Sequence, residues 1–220
     1  VTFGKNKKSD IFPTKIIKYK NYTKFFLKVK NQKIDLKIKN INIYNVLASL
    51  AVIKEIELDL NSVKKIFKNY EPTEGRGKTH FISRYNKKFR LIDESYNANP
   101  SSVRNAINNF NSIKKDKFKK YLILGDMLEL GGKSEKYHKD LSKVINNSNI
   151  DKVFIKGEKT LFTYQNLHKS KQGNILQNKD DIDLVLGNII NNNDYLMIKG
   201  SNATGLNILS KKMIKGLNVI

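Results

Sequence analysis

From residue 89 onward, short apolar runs alternate with amphipathic stretches, and that alternation limits the fold more than any other feature. Phe89 to Ile92, Tyr121-Leu122-Ile123-Leu124, Val153-Phe154-Ile155 and Tyr195-Leu196-Met197-Ile198 read as buried strands. Between them apolar residues recur at helical spacing. Val103, Ala106, Ile107, Phe110 and Ile113 mark a helix over 101–113. Tyr137, Leu141, Val144 and Ile145 mark one near 134–146, and Ile182, Val185, Leu186, Ile189 and Ile190 one near 180–191. A shorter helix and a weak strand near Ile175 come before the latter, and a last helix carries Leu206, Leu209, Met213 and Leu217. Continuous apolar strands between amphipathic helices predict an α/β fold with a mostly parallel sheet covered on both faces. Ligands on such sheets sit at the carboxyl ends of strands. Three polar loops fall there: 93–100, 125–133 and 199–205.

The first third reads differently. Residues 14–39 suggest two or three strands, because Lys33-Ile34-Asp35-Leu36-Lys37-Ile38 alternates strictly. Helices are expected over 45–56, with Val46, Leu47, Leu50 and Ile53 on one stripe, and over 61–70, with Val63, Ile66 and Phe67 apolar. Glu71-Pro72-Thr73-Glu74-Gly75-Arg76-Gly77 breaks the pattern and is the natural domain boundary. Strands near Phe81 and Leu91 then form a hairpin through Tyr85-Asn86-Lys87.

The formal charge is +22, which raises a second reading, a basic α/β nucleic-acid-binding module. Its lysines are spread over every segment, with no clustered patch and no RNA-binding signature, so they read as a solvated surface and nucleic acid is not the expected partner. A dinucleotide-binding oxidoreductase ranks lower, since no Gly-x-Gly-x-x-Gly follows a strand. There is no cysteine, which removes thiolate chemistry and fits a reducing cytoplasm. No apolar run approaches the roughly 18 residues of a membrane span. Val1-Thr2-Phe3-Gly4 precedes lysines and lacks an initiator Met, so the chain reads as a piece of a longer protein with no visible secretory signal.

The densest chemistry lies in Asp93-Glu94-Ser95-Tyr96-Asn97-Ala98-Asn99-Pro100-Ser101-Ser102. Asn99 suits a helix cap and Pro100 the first helical position. Asp93, at a strand end, either binds a ribose hydroxyl or a magnesium-bound water, or braces the loop. Asn97 and Asn99 offer donors and acceptors. Asp126 and Glu129 either recognise an amine or end a strand in a charged turn. Lys199 could neutralise a carboxylate or phosphate and Ser201 could hydrogen-bond it. Glu135 and His138 have metal-ligand spacing, but two groups do not make a site, and a packed or solvated histidine is favoured. Gly75-Arg76-Gly77-Lys78-Thr79 imitates the tail of a phosphate loop, yet Pro72 stands where the pattern needs Gly, and a strand follows instead of a helix.

Asp93-Glu94-Ser95-Tyr96-Asn97-Ala98-Asn99-Pro100, with Gly125-Asp126-Met127-Leu128-Glu129-Leu130-Gly131 and Lys199-Gly200-Ser201, resembles blocks of the Mur ligases of bacterial cell-wall synthesis. The resemblance runs in order over nearly the whole chain. It implies a C-terminal Rossmann-like domain over 73–220, preceded over 1–72 by the C-terminal part of a central ATP-binding domain. It implies an ATP- and Mg2+-dependent amide ligase, the partners being UDP-N-acetylmuramoyl-tripeptide, D-alanyl-D-alanine and a missing N-terminal half with the phosphate loop. By the same resemblance Arg76 contacts ATP phosphates, Asp93 stands in the nucleotide site, and Asn42 and Asn45 lie near the nucleotide. Asn97, Asn99, Asp126, Glu129, Lys199 and Ser201 are the expected substrate contacts. Three positions depart from the family: Glu94 where Asp is common, Asn202 for the usual Arg, and Ile41 in the place of a His.

Overall fold

The computed structural model describes residues 1–19, 22–39 and 42–216. The chain divides into two compact units, Val1–Pro72 and Thr73–Ile220. Ile41 and Leu217 lie outside the described residues.

The first unit opens with an antiparallel meander of β1 (Ile11–Lys18), β2 (Thr23–Val29) and β3 (Gln32–Ile38). In β3 the expected alternation holds: Ile34, Leu36 and Ile38 are buried, while Lys33, Asp35 and Lys37 are exposed. Helices α1 (Ile43–Glu55) and α2 (Leu60–Lys68) join that apolar face through Val46, Leu47, Leu50, Val63 and Phe67. Asn42 caps α1 and Asp59 caps α2, each accepting from amides that the helix start leaves without partners. Ile66 corrects the sequence reading, because it is 70% exposed and not part of the α2 stripe. The buried stripe of α2 runs instead through Leu60, Val63 and Phe67, at the i, i+3, i+7 spacing of one helix face.

The second unit holds a six-stranded sheet in the order β4-β5-β9-β6-β7-β8. Strands β4 (Lys78–Arg84) and β5 (Lys87–Glu94) form an antiparallel hairpin. Tyr85 and Asn86 both have positive φ in its two-residue turn, which suits the twist of the flanking strands. Strands β6 (Lys120–Gly125), β7 (Lys152–Lys156), β8 (Gln172–Ile175) and β9 (Tyr195–Lys199) join β5 in parallel pairs. Helices α3 (Pro100–Ser112), α4 (Ser134–Asn146), α5 (Thr160–Tyr164), α6 (Lys179–Leu184) and α7 (Leu206–Ile214) are the connections and the terminal element.

Alternation along the strands sorts side chains into two cores. Tyr121, Ile123, Phe154, Leu196 and Ile198 face Val185, Leu186, Leu206, Leu209 and Met213. Leu122, Leu124, Val153, Ile155 and Met197 face Val103, Ile107, Phe110, Leu141 and Ile145. This is the mostly parallel, doubly covered sheet that continuous apolar strands require. The helix expected over 180–191 is not one α-helix. After α6 the backbone widens over Val185–Ile189, and the Ile190 amide donates to the Val185 carbonyl at 3.1 Å. That wider turn buries Val185, Leu186 and Ile190 completely.

Candidate functional site

Two polar neighbourhoods occupy the carboxyl ends of the strands in the second unit. The first forms where residues 73–77 fold back on β5. The Asp93 carboxylate accepts from the Gly75 amide at 2.8 Å and from the Ser95 hydroxyl at 2.6 Å. The Gly77 amide donates to the Asp93 carbonyl at 2.7 Å, and the Tyr96 amide donates to the Gly75 carbonyl at 3.1 Å. Gly75 has φ +76, and a Cβ there would lie 2.7 Å from Cβ of Tyr96, so only glycine lets the segment lie this close. Arg76 is exposed, with its guanidinium 4.5 Å from the Tyr96 ring centroid. Residues 75–77 turn into β4, which begins at Lys78, and start no helix, which removes the phosphate-loop imitation.

Asp93 is only 2% exposed and both its oxygens are engaged, so the structure gives it the bracing role. Lys199 is likewise 2% exposed. Its ammonium donates to the carbonyls of Glu94 and Asn97 and lies 3.7 Å from Glu94 Oε2. The sequence reading offers it a substrate carboxylate or phosphate; in the structure its partners are internal. An ammonium this deep needs internal partners, and it finds them in the loop after β5. Burial lowers the Lys199 pKa, opposed by Glu94; burial raises the Glu94 pKa, opposed by Lys199. Asn99 caps α3 in a reciprocal capping box with Ser102. Asn97 is exposed, its side-chain oxygen accepting from the Ala98 amide at 2.8 Å. Arg76, Asp93, Asn97 and Lys199 thus come together around one strand end.

The second neighbourhood is a hollow of about 490 Å³ at the ends of β6, β7, β8 and β9. Asp126, Lys156, Glu158, Gln177 and Thr204 are its polar lining, and Leu128, Leu161 and Leu176 are apolar. Gly125 and Gly200 let the ends of β6 and β9 approach; a Cβ on Gly200 would lie 3.0 Å from Cα of Gly125. Asp126 Oδ1 accepts from the Thr160 amide at 2.8 Å. Ser201 is 5% exposed and binds the loop after β6 twice: its amide donates to the Asp126 carbonyl at 3.0 Å, and its hydroxyl accepts from the Leu128 amide at 3.0 Å. Ser201 thus braces the loop after β6 through both its amide and its hydroxyl. Glu129 is exposed, with φ 61. His138 is buried and hydrogen-bonded, so of the packed and solvated alternatives that the sequence left open it is the packed one. Asn202 is exposed.

Asn42 and Asn45 belong to the first unit, at the start of α1, and both are exposed. No group of three His, Cys, Asp or Glu side chains able to hold a metal occurs among the described residues. No helix among them is long and apolar enough to cross a membrane. Sequence reasoning missed Tyr96, Lys156, Glu158 and Thr160. The rule that found three loops at strand ends reaches a fourth, Lys156-Gly157-Glu158, had the end of Val153-Phe154-Ile155 been followed in the same way.

Residues 78–202 match the family described as Mur ligase, glutamate ligase domain. Over 98% of its length the chain is 29% identical to a UDP-N-acetylmuramoyl-tripeptide–D-alanyl-D-alanine ligase of Buchnera aphidicola subsp. Baizongia pistaciae, covering 46% of that protein. The protein of the same name from Bacillus subtilis is 33% identical over 129 residues, which are 57% of this chain and 28% of the relative. Among solved structures, a MurF ligase from Thermotoga maritima in complex with ADP matches with TM-score 0.75 at 18% identity, over 96% of this chain and 48% of that one. MurF from Acinetobacter baumannii matches with TM-score 0.76 at 21% identity, over 96% of this chain and 46% of that one. These structural likenesses show the fold. The chain spans about half the length of the Buchnera relative.

Proposed function

The chain belongs to the Mur ligase family, and on that premise we propose that it supplies the C-terminal half of an ATP-dependent amide ligase. The proposed reaction adds D-alanyl-D-alanine to UDP-N-acetylmuramoyl-tripeptide. ATP phosphorylates the terminal carboxylate of the tripeptide, and ADP leaves. The dipeptide amine then attacks the acyl carbon, an amide forms, and phosphate leaves with the electrons of the C–O bond. The proposed setting is the cytoplasm, and residues 1–72 are taken as the end of the central ATP-binding domain.

The observation that carries this reading is the charge pattern of the hollow after β6. Asp126 and Glu158 suit an ammonium, and Lys156 suits a carboxylate, within one space of about 490 Å³. A small zwitterion such as a dipeptide carries both charges. Glu129 stands exposed on the same loop as Asp126 and is the lesser amine contact.

Arg76 is the proposed phosphate contact, because a guanidinium already stacked on Tyr96 loses little freedom on binding. Asp93 acts through Gly75, holding the backbone from which Arg76 projects. Asn42 and Asn45 are the proposed nucleotide contacts from the first unit, and Asn97 the contact for the peptide-linked substrate. Asn99, Lys199 and Ser201 act by shaping the loops. Magnesium, where bound, offsets phosphate charge in such transfers. The donor set of this chain does not form a resident metal cage among the described residues, and no step is assigned through one.

An NMR titration tests the pocket. D-alanyl-D-alanine at millimolar concentration should shift the amides of Asp126, Gly157 and Thr204, while the N-acetylated dipeptide, which lacks the ammonium, should not. Equal shifts from both, or none, would overturn the assignment. On this reading the 220 residues alone should hydrolyse no ATP, since their sequence holds no phosphate-loop pattern; measurable ligation by this chain would refute that division of labour.

A further inference from the structure

The amide of Met127, next to the pocket carboxylate Asp126, donates to a side chain and not to the backbone. Its acceptor is His138 Nε2, at 3.0 Å, on a residue with 0% exposure. The other ring nitrogen, Nδ1, lies 2.8 Å from the Ser134 carbonyl. A carbonyl can only accept, so the ring proton belongs on Nδ1 and Nε2 is left as the acceptor. The imidazole in this arrangement is neutral. An imidazolium carries a proton on both nitrogens and would set its Nε2–H against the Met127 N–H.

The same few residues are held from other sides by groups that do not titrate. Ser201 binds the Asp126 carbonyl and the Leu128 amide. The Thr160 amide binds the Asp126 carboxylate, and the Thr163 hydroxyl donates to the His138 carbonyl at 2.7 Å. Charged side chains on the elements around the ring are Asp126 and Glu129 on the loop after β6, Lys133 before α4, Glu135, Lys136, Lys139, Asp140 and Lys143 on α4, and Arg104 on α3. On α5 the only titratable side chain is Tyr164. Among the described residues none of these forms an ion pair with His138.

We propose that His138 is a positioning residue, a neutral imidazole latch that fixes the Met127 amide beside Asp126 and releases that amide when the ring is protonated. Its consequence for the amine-bearing substrate rests on the ligase reading above; the latch itself does not.

The test is NMR on the 220-residue chain. Long-range ring spectra should show His138 with its proton on Nδ1. On acidification the protection of the Met127 amide, its exchange corrected for the intrinsic slowing of base-catalysed exchange at lower pH, should fall on the order of tenfold or more, in step with protonation of the ring. His138→Gln keeps an oxygen acceptor near the same place without a titrating group, so Met127 should stay protected across the same range. His138→Phe should expose Met127 to exchange at every pH; should that variant fail to fold, the glutamine variant still decides. A proton on Nε2, or Met127 protection that ignores the ring's titration, would overturn the latch. D-alanyl-D-alanine shifts that fade as the ring protonates, and persist in His138→Gln, would extend it to binding. If the dipeptide shifts nothing at any pH while Met127 exchange follows the ring, the ligand reading of the hollow falls and the latch stands.

Discussion

Gly157 gives the pocket its sharpest dependence on a single residue. It has φ +125, and a Cβ there would land on the Asp126 carboxylate. Backbone strain and displacement of the carboxylate would therefore come together. Gly131 is the natural control, since it also has positive φ, 56°, but open space around its Cβ position. Gly157→Ala should cost about 1–3 kcal/mol and abolish any dipeptide-induced shift at Asp126. Gly131→Ala should cost about 1 kcal/mol, the ordinary penalty of a left-handed alanine, and leave the pocket unchanged. Urea denaturation of both variants, with the dipeptide titration repeated, checks this; equal costs would mean that the tight contact at Gly157 carries no weight. The same residue shows why part of the site was hidden in the sequence. A glycine after a strand is common, and only the folded backbone reveals which side chain occupies the missing Cβ.

At the scale of elements, the C-terminus of α3 depends on a lysine that sequence reading assigned to the solvated surface. Lys120 is 0% exposed. Its ammonium donates to the carbonyl of Phe110 at 2.9 Å, to that of Ile113, and to Asn149 Oδ1 at 2.8 Å. A helix end leaves its last carbonyls without partners, and a cation there satisfies them and opposes the helix dipole. Burial lowers the Lys120 pKa to about 8 from an ordinary 10.5. The folded chain therefore releases this proton at lower pH than the unfolded one, and its stability rises with pH between those values. Lys120→Met should lose about 1–3 kcal/mol at pH 7 by orphaning the carbonyls, and should lack the rise above pH 8. Denaturation midpoints of both proteins across pH 7 to 10 check it; parallel curves would rule out Lys120 as the source. Strand and helix order was legible because the apolar runs and helical stripes from Phe89 onward are unambiguous, and Asn99 caps α3 as its residue type suggests. Lys120 was misread for a physical reason. Among 42 basic residues, composition cannot distinguish the few whose ammonium is aimed at backbone carbonyls, because that aim is set by tertiary contact. The candidate site was legible as a set of loops, while the division between residues that touch a ligand and residues that hold the loops was not.

On the scale of the whole molecule, the units share no strand among the described residues. The three-stranded sheet takes every strand from residues before 72, and the six-stranded sheet takes every strand from residues after 73. Their cores are separate as well: Phe25, Leu36, Leu47 and Phe67 pack in one, while Ile123, Phe154 and Leu206 belong to another. The braces on Arg76 also stay within the second unit, since Gly75, Gly77, Asp93 and Tyr96 all follow residue 72. Among the described residues, cutting the chain between Pro72 and Thr73 thus removes no sheet hydrogen bond and no brace of the second unit's strand-end loops. A domain of this length buries enough surface to fold alone. Residues 73–220 expressed alone should therefore fold cooperatively, with α/β circular dichroism and with amide shifts at Asp93, Tyr96, Met127 and Gly157 matching those of the full chain. Thermal unfolding of the full chain should then show a transition that the shorter protein lacks. Residues 73–220 that fail to fold, or that fold with those amides displaced, would mean that the first unit shapes the carboxyl-end loops, and that the strand ends alone do not define the site.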